Sequence, residues 1–353
     1  MAASKTLPRV AIVGATGMVG AELLHQLESR RFPVGALLPF SSGAAKKSVR
    51  FRGRSLPAPG VDRKALTGCD LAFFVSADEV SEALAPRLAA QGVWVIDDSA
   101  AFRLDPNVPL VIPEVNAHTL SLGKRLIAGP NCTMTGLAVA GYPLHKRFGA
   151  VAARVASYQA VSGAGRAALE EFFTQTRHAA SKFKLHNGRA PVLAAPQHHA
   201  LPGPIAGNVL PQVGGFDALG STSEENKVAA ELKKIWGAPK LAVSVTAVRV
   251  PVVRGHSLAA WLSLRRHATP AQAKALLSRA PGVKLSVDGR YPTPLSCAGE
   301  APVYAGRLRR GTGANELCLW IVSDNLLKGA ALNSIQIAEE LLRRGWLKRR
   351  CEG

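Results

Sequence analysis

The chain has 353 residues, 47% of them hydrophobic, which is enough to bury two cores rather than one. Its net charge is +20, but the basic residues are scattered and only 6% of the chain is aromatic, which argues against a nucleic-acid reader as the main function. Five cysteines without a CxxC pair, nine histidines without an HExxH motif, and no apolar run near ~20 residues exclude a disulfide scaffold, a zinc module and a membrane span; a soluble, cytoplasmic, metal-free protein is expected.

The first element is an apolar strand, Arg9 to Val13, ending in GATGMVG; a helical pattern follows through Leu23, Leu24 and Leu27. Gly14, Gly17 and Gly20 are spaced GxxGxxG between them. Such glycines let the backbone turn tightly and approach a pyrophosphate at the helix amino end, which makes Gly14, Thr16, Gly17, Met18 and Val19 candidate cofactor contacts. The spacing departs from GxGxxG, and a plain strand-to-helix turn is the competing reading. Val34 to Leu38 reads as the second strand, after which a NAD-preferring fold places a carboxylate. No acid occurs between Glu28 and Asp62, whereas Lys46, Lys47, Arg50, Arg52 and Arg54 do; the pattern favours NADP.

Asp70 to Val75 is a third strand, Glu79 to Ala90 a helix, and Val93 to Ile96 a strand ending in DDSAAFRLD. Apolar strands alternating with helices predict a Rossmann-type, doubly wound parallel sheet with ligands at the strands' carboxyl ends, where Ser99 and Arg103 lie. An isolated loop arginine is more often a surface charge. Pro109 to Asn116 is expected as an irregular crossing and Leu126 to Ala128 as a return to the sheet. Next comes LIAGPNCTMTG, with a helical pattern through Leu137, Val139 and Leu144 that puts Cys132 in a helix's first turn. Unpartnered N–H groups there carry partial positive charge and favour a thiolate, although a lone cysteine is more often inert packing.

The second half changes character. Val151 to Val161 reads as a long strand, with Gln159 and Ser162 near its junction with a helix. The Pro- and Gly-rich stretch Pro191 to Gly220 is too long for an inert connection. Thr222 to Trp236 is a helix with Thr or Ser at its cap. Lys240 to Val250 and His256 to Arg265 are expected to pair as an antiparallel sheet across PVVRG. Glu316 to Val322 is a last strand, followed by a long terminal helix expected to pack on the dinucleotide domain. The domains expected are 1–131, joined by 325–353, and a mixed α/β catalytic and dimerisation domain over 132–324.

GATGMVG, DDSAAFRLD, PEVN, GPNCT, SYQAVSGAG, SEENK, RVPVVRGHS, YPTP and SDNLLKGAALNSIQIAEE, in that order, resemble aspartate-semialdehyde dehydrogenase across nearly the whole chain. The resemblance implies NADPH-dependent reduction of 4-phospho-aspartate to aspartate 4-semialdehyde, with release of phosphate, on the route to lysine, threonine, methionine and diaminopimelate, by a homodimer or homotetramer. It implies that Cys132 is the nucleophile, His256 the acid/base residue, with a pKa near neutrality to suit, and Gln159 the group orienting substrate. Arg249 would hold the substrate carboxylate and Glu224 its amino group, while Arg103, Asn131 and Lys227 would bind phosphate. Asn325 would contact the nicotinamide end, and Ser162 and Gly163 a cofactor-adjacent turn. Taken singly, the charged positions read as surface pairs or caps.

Three positions depart from the family pattern. Pro39, Phe40, Ser41, Ser42 and Gly43 stand in place of a Ser-Arg-Ser type segment, so the cofactor assignment leans on Lys46, Lys47 and the missing carboxylate, with Ser41 and Ser42 kept as candidate cofactor contacts. Met134 replaces a small hydroxyl residue, and Leu258 replaces a glutamate after GHS. The alternatives are an enzyme like N-acetyl-glutamyl-phosphate reductase, against which the acidic Glu224 and NCT rather than a GCY-type segment argue, and a catalytically silent relative acting in assembly, which should have lost Cys132, His256 or Arg249.

Overall fold

The computed structural model describes residues 7–41, 47–182, 195–287 and 289–347. It divides into two compact units, Met1–Val139 with Ala230–Pro239 and Leu326–Gly353, and Ala140–Ala229 with Lys240–Asn325. The first boundary falls inside the helix Cys132–Phe148, and a second piece of helix, from Ala230 on, joins unit 1. Both differ from a simple cut at 131/132.

Unit 1 holds β1 (Arg9–Val13), β2 (Ala36–Phe40), β3 (Lys47–Phe51), β4 (Arg54–Ala58), β5 (Leu71–Phe74), β6 (Trp94–Asp97) and β7 (Leu126–Ala128). Its main sheet runs β2-β1-β5-β6-β7, every pair parallel. β5 and β6 are buried at every residue, as expected of strands covered on both faces. β2 starts two residues later than the expected Val34, because Gly35 is spent on contact with the residue 7–8 backbone. The hairpin β3–β4 was not anticipated; Arg52 and Gly53, both at positive φ, make its tight turn. Helix Leu332–Arg343 packs Ile335, Ala338 and Leu341 into the same core as Val10, Ile12 and Leu27. Trp94 and Trp346 stack at 6.0 Å, and the Trp94 indole N–H donates to the Trp346 carbonyl, pinning the segment after that helix.

Unit 2 is built on β8 (Ala150–Gln159), β9 (Ala242–Arg249), β10 (His256–Leu264), β11 (Val283–Leu285), β12 (Val303–Arg310) and β13 (Glu316–Ser323), in the order β11-β12-β13-β10-β8-β9. The expected antiparallel pairing of the strands around PVVRG is wrong. β9 lies parallel to β8 and β10 antiparallel to it on its other side, so the connection crosses the end of β8. Backbone bonds hold that crossing: Val161 N–H to the Val252 carbonyl, Ser162 N–H to the Val253 carbonyl and Val250 N–H to the Gln159 carbonyl. A 10-residue strand with partners on both sides satisfies more backbone groups than an isolated hairpin would.

Residues 195–220 carry no regular strand or helix, only isolated bridges such as Leu210 to Arg249. Among the described residues no helix is long and apolar enough to cross a membrane, and no group of three metal-ligating side chains occurs.

Candidate active site

At the end of β1, Gly14 sits at φ +94°, and a Cβ there would lie 2.5 Å from the Val75 carbonyl oxygen. Its N–H and that of Ala15 donate to the Phe40 carbonyl, joining the turn to the end of β2. Gly17 is the N-cap of helix Met18–Ser29 and offers no side chain to the first-turn N–H groups. An open helix amino end behind a turn that tolerates no Cβ fits a dinucleotide pyrophosphate. Thr16, Met18 and Val19 line this turn half-buried. Ser41 is fully buried, with its hydroxyl on the Pro59 carbonyl. Ser42 and Lys46 lie outside the described residues, and Lys47 is exposed at the first position of β3. Arg52 is committed elsewhere: its guanidinium donates to the Val34 and Phe32 carbonyls and its backbone N–H to Glu28.

Cys132 opens the helix Cys132–Phe148 and is half-buried. Asn131 caps that helix, its Oδ1 accepting Thr133 N–H at 2.7 Å and Met134 N–H at 3.2 Å, while the Thr135 hydroxyl donates to its carbonyl. Expected as a phosphate contact, Asn131 thus has its side-chain oxygen engaged as a cap. Glu231, 1% exposed, accepts the Asn131 backbone N–H at 2.7 Å and Arg103 Nη1 at 3.3 Å. Arg103 also donates from Nη2 to the Asp98 carbonyl at 2.6 Å. Burial works against its charge, but Glu231, Asp98 and Cys132 outweigh burial and raise its pKa. Lys234, one helical turn beyond Glu231, donates to the carbonyls of Arg103, Asp105 and Val108 and so fixes the loop carrying Arg103. Asp98 accepts the Ser334 hydroxyl at 2.6 Å, while its Oδ2 is closed off from solvent without a hydrogen-bond partner. Burial pushes that carboxyl up to about 7, with Ser334 and Arg103 opposing and Asp97 adding to the rise.

In unit 2 the register of three adjacent strands gathers the remaining groups. Gln159, the last residue of β8, is paired with Arg249, the last of β9; His256, the first of β10, adjoins the Ser257–Tyr158 pair. Gln159 Nε2 donates to Ser157 Oγ and to Glu224 Oε1, both at 3.2 Å. Glu224 lies in the first turn of helix Ser223–Trp236, whose cap is reciprocal: Glu225 N–H donates to Thr222 Oγ1 and Thr222 N–H to Glu225 Oε2. Lys227 follows Glu224 by three positions, which puts it on the same helix face. Arg249, 6% exposed, donates to the Ala160 carbonyl at 2.9 Å.

His256 is 1% exposed, and its Nδ1 accepts the Ala160 N–H at 3.0 Å, which assigns the proton of the neutral ring to Nε2. Burial first, and the Arg249 charge second, push its pKa down to about 3, not near neutrality as its expected role suggested. Gly163 leaves room beside it: a Cβ there would lie 3.2 Å from His256 Nε2 and 2.9 Å from Arg249 Nη1. Asn325 belongs to unit 2, not to the terminal helix; its Oδ1 accepts Gly255 N–H at 2.8 Å and its Nδ2 donates to Ser162 Oγ at 3.0 Å. It therefore pins the residue that precedes His256.

Glu231, Lys234, Asp98 and Ser334 were not foreseen. Only Glu231 left a trace in the sequence, as an acid on the apolar stripe Val228, Leu232 and Ile235. The two unusual positions near the reacting groups, Met134 and Leu258, both point into cores, at 0% and 2% exposure.

Comparison with known proteins matches residues 9–122 to the family described as "Semialdehyde dehydrogenase, NAD binding domain" and residues 142–328 to "Semialdehyde dehydrogenase, dimerisation domain". The aspartate-semialdehyde dehydrogenase of Bacillus subtilis is 41% identical, the match covering 94% of this chain and 96% of that protein. That of Streptomyces akiyoshiensis is 44% identical over 94% of this chain and 97% of its own. The crystal structure of aspartate semialdehyde dehydrogenase II from Vibrio cholerae complexed with ASA superposes with a TM-score of 0.89 at 34% identity, covering 96% of this chain and 98% of that one.

Proposed function

The chain belongs to the aspartate-semialdehyde dehydrogenase family, and we propose that it reduces 4-phospho-L-aspartate to L-aspartate 4-semialdehyde with NADPH, reversibly, in the biosynthesis of lysine, threonine, methionine and diaminopimelate. The observation that carries this reading is the strand register that sets Gln159, Arg249 and His256 side by side at one sheet end.

In this mechanism Arg249 holds the substrate carboxylate and Glu224 its ammonium group, while Arg103 and Lys227 neutralise the phosphate. The Cys132 thiolate attacks the acyl carbon, the carbon–oxygen bond to phosphate breaks, and a thioester forms. Gln159 orients the acyl group. Ser162, Gly163 and Asn325 are the residues that would hold the nicotinamide end of a bound dinucleotide, which would supply the hydride. The His256 Nε2–H donates a hydrogen bond to the oxyanion formed at the former thioester carbon, and as that adduct collapses the carbon–sulfur bond breaks, releasing aldehyde and restoring the thiolate. Burial first and the Arg249 charge second hold the imidazole pKa down, and a substrate carboxylate on Arg249 offsets the second of these, so substrate binding raises the proton affinity of His256.

NADP preference is supported by the absent carboxylate after β2 and by Lys46 and Lys47. A homodimer, alone or doubled to a tetramer, is supported by the exposed face of the unit 2 sheet, where Tyr158 is 38% exposed and packs at a tilt of 52° against Trp320, the ring centroids 5.5 Å apart. A cytoplasmic location is in keeping with these substrates. The test is reduction of NADP and of NAD with aspartate semialdehyde, with and without phosphate, alongside Cys132→Ala. Phosphate-dependent reduction favouring NADP and abolished in Cys132→Ala is expected; activity that survives the substitution or ignores phosphate overturns the mechanism.

A further inference from the structure

The segment entering the last helix is not an α-helix at its start. Leu327–Ala331 forms a π-turn, with the Ala331 N–H on the Leu326 carbonyl at 3.1 Å, before the regular helix Leu332–Arg343. Such widened turns are rare and are frequently found at functional sites. Lys328 is 1% exposed, yet its ammonium donates to Glu114 Oε2 and Gln336 Oε1, both at 2.6 Å, and to Asn333 Oδ1 at 2.9 Å. Gln336 Nε2 in turn donates to Glu114 Oε1 at 3.0 Å, so the turn is clamped to the short helix Pro113–Asn116.

The next residue, Gly329, is buried and does not adopt the left-handed backbone that calls for glycine. Glycine is also the poorest helix former after proline, so neither conformation nor propensity explains it. Space does. A Cβ at Gly329 would lie 2.9 Å from Cys132 Cβ, 3.1 Å from Cys132 Cα and 3.3 Å from the Cys132 carbonyl oxygen. Any larger residue must displace either the clamped π-turn or the Asn131-capped start of the Cys132 helix.

We propose that Gly329 is a positioning residue for Cys132: the bare backbone of the π-turn, fixed by Lys328, is the wall against which the cysteine's Cα–Cβ bond rests, and it sets the direction of the sulfur. The proposal rests on the thioester reading for its effect on turnover, but not for its effect on the thiol. A sulfur displaced by about 1 Å loses alignment with the acyl carbon at a cost of about 100-fold in rate, and it also leaves the field of the helix amino end.

The test uses the full chain with Gly329→Ala and, as a milder loosening of the clamp, Gln336→Ala. Folding is followed by circular dichroism and thermal melting. The rate of Cys132 alkylation by iodoacetamide is measured against pH, with the modified cysteine located by peptide mass. Steady-state kinetics are run with aspartate semialdehyde, phosphate and NADP. Folded Gly329→Ala is expected to lose about 100-fold in kcat with little change in KM, and its alkylation profile is expected to move to higher pH. A folded Gly329→Ala with wild-type alkylation and kcat overturns the proposal. Should Gly329→Ala not fold, Gln336→Ala decides, with a smaller loss in the same direction expected and wild-type behaviour overturning it. If the wild-type chain itself fails to oxidise aspartate semialdehyde, the functional reading falls, while the alkylation comparison still decides the role of Gly329.

Discussion

The carboxylate of Glu231 accepts the backbone N–H of Asn131 at 2.7 Å, one residue before Cys132, and the same carboxylate binds Arg103. One buried acid thus fixes both the start of the cysteine's helix and Arg103, the arginine proposed to bind phosphate. Glu231→Gln keeps an acceptor for the Asn131 N–H but leaves the Arg103 charge, 12% exposed, without its counter-ion. Removing one member of a buried pair costs ~3–5 kcal/mol. The substitution is expected to lower the melting temperature and to raise KM for phosphate more than it lowers binding of NADP. Equal phosphate kinetics in the two proteins would separate Glu231 from the site.

The depressed pKa of His256 makes stability depend on pH in a definite sense. Above pH ~6.5 the ring is neutral whether folded or unfolded and contributes nothing. As pH falls below that value, the unfolded ring takes up a proton that the folded ring refuses until about 3, so folding weakens by ~1.4 kcal/mol per unit. His256→Asn retains an acceptor for the Ala160 N–H and removes the titration. Between pH 7 and pH 5, urea denaturation is expected to show the wild type losing ~2 kcal/mol more than this variant. Parallel losses would show that the ring protonates in the folded state.

Asp98 works with the opposite sign. Its carboxyl is held up to about 7, so from pH ~4 upward the unfolded state releases a proton that the folded state keeps, and stability declines as pH rises through that window. Asp98→Asn preserves an oxygen for the Ser334 hydroxyl. It is expected to match the wild type near pH 4 and to exceed it by on the order of 4 kcal/mol at pH 8. A constant difference at both pH values would count against the raised pKa.

Tyr158 tests the proposed dimer. Its ring is exposed on the unit 2 sheet and packs at a tilt against Trp320. Burying an unpaired carboxylate in an interface is strongly unfavourable, so Tyr158→Glu is expected to sediment as a monomer where the wild type sediments as a dimer or larger. A variant that keeps the wild-type sedimentation coefficient would place the interface on another face.

The parallel sheet of unit 1 was legible because its strands are buried on both faces and appear in the sequence as short apolar runs between amphipathic helices, as at Leu71–Phe74 and Trp94–Asp97. The start of the helix at Cys132 was legible for a similarly local reason: Gly129, Pro130 and Asn131 are chain punctuation and a cap. The hairpin β3–β4 escaped notice because its exposed, arginine-rich strands lack an apolar alternation strong enough to register.

What only the tertiary structure decided is where distant segments meet. Proximity in sequence suggested that β9 and β10 pair, yet β8, about 90 residues earlier in the chain, lies between them and brings Gln159 beside Arg249. Residue type alone gave His256 an ordinary imidazole pKa; burial and the neighbouring Arg249 charge lower it, and both are properties of the folded environment. Glu231, Lys234 and Gly329 act on residues about 100 to 200 positions away through hydrogen bonds or bare contact. The sequence determined which chemical groups are present and which local elements carry them; long-range packing determined their partners, their charge states and the space around them, because those depend on neighbours that no local pattern encodes.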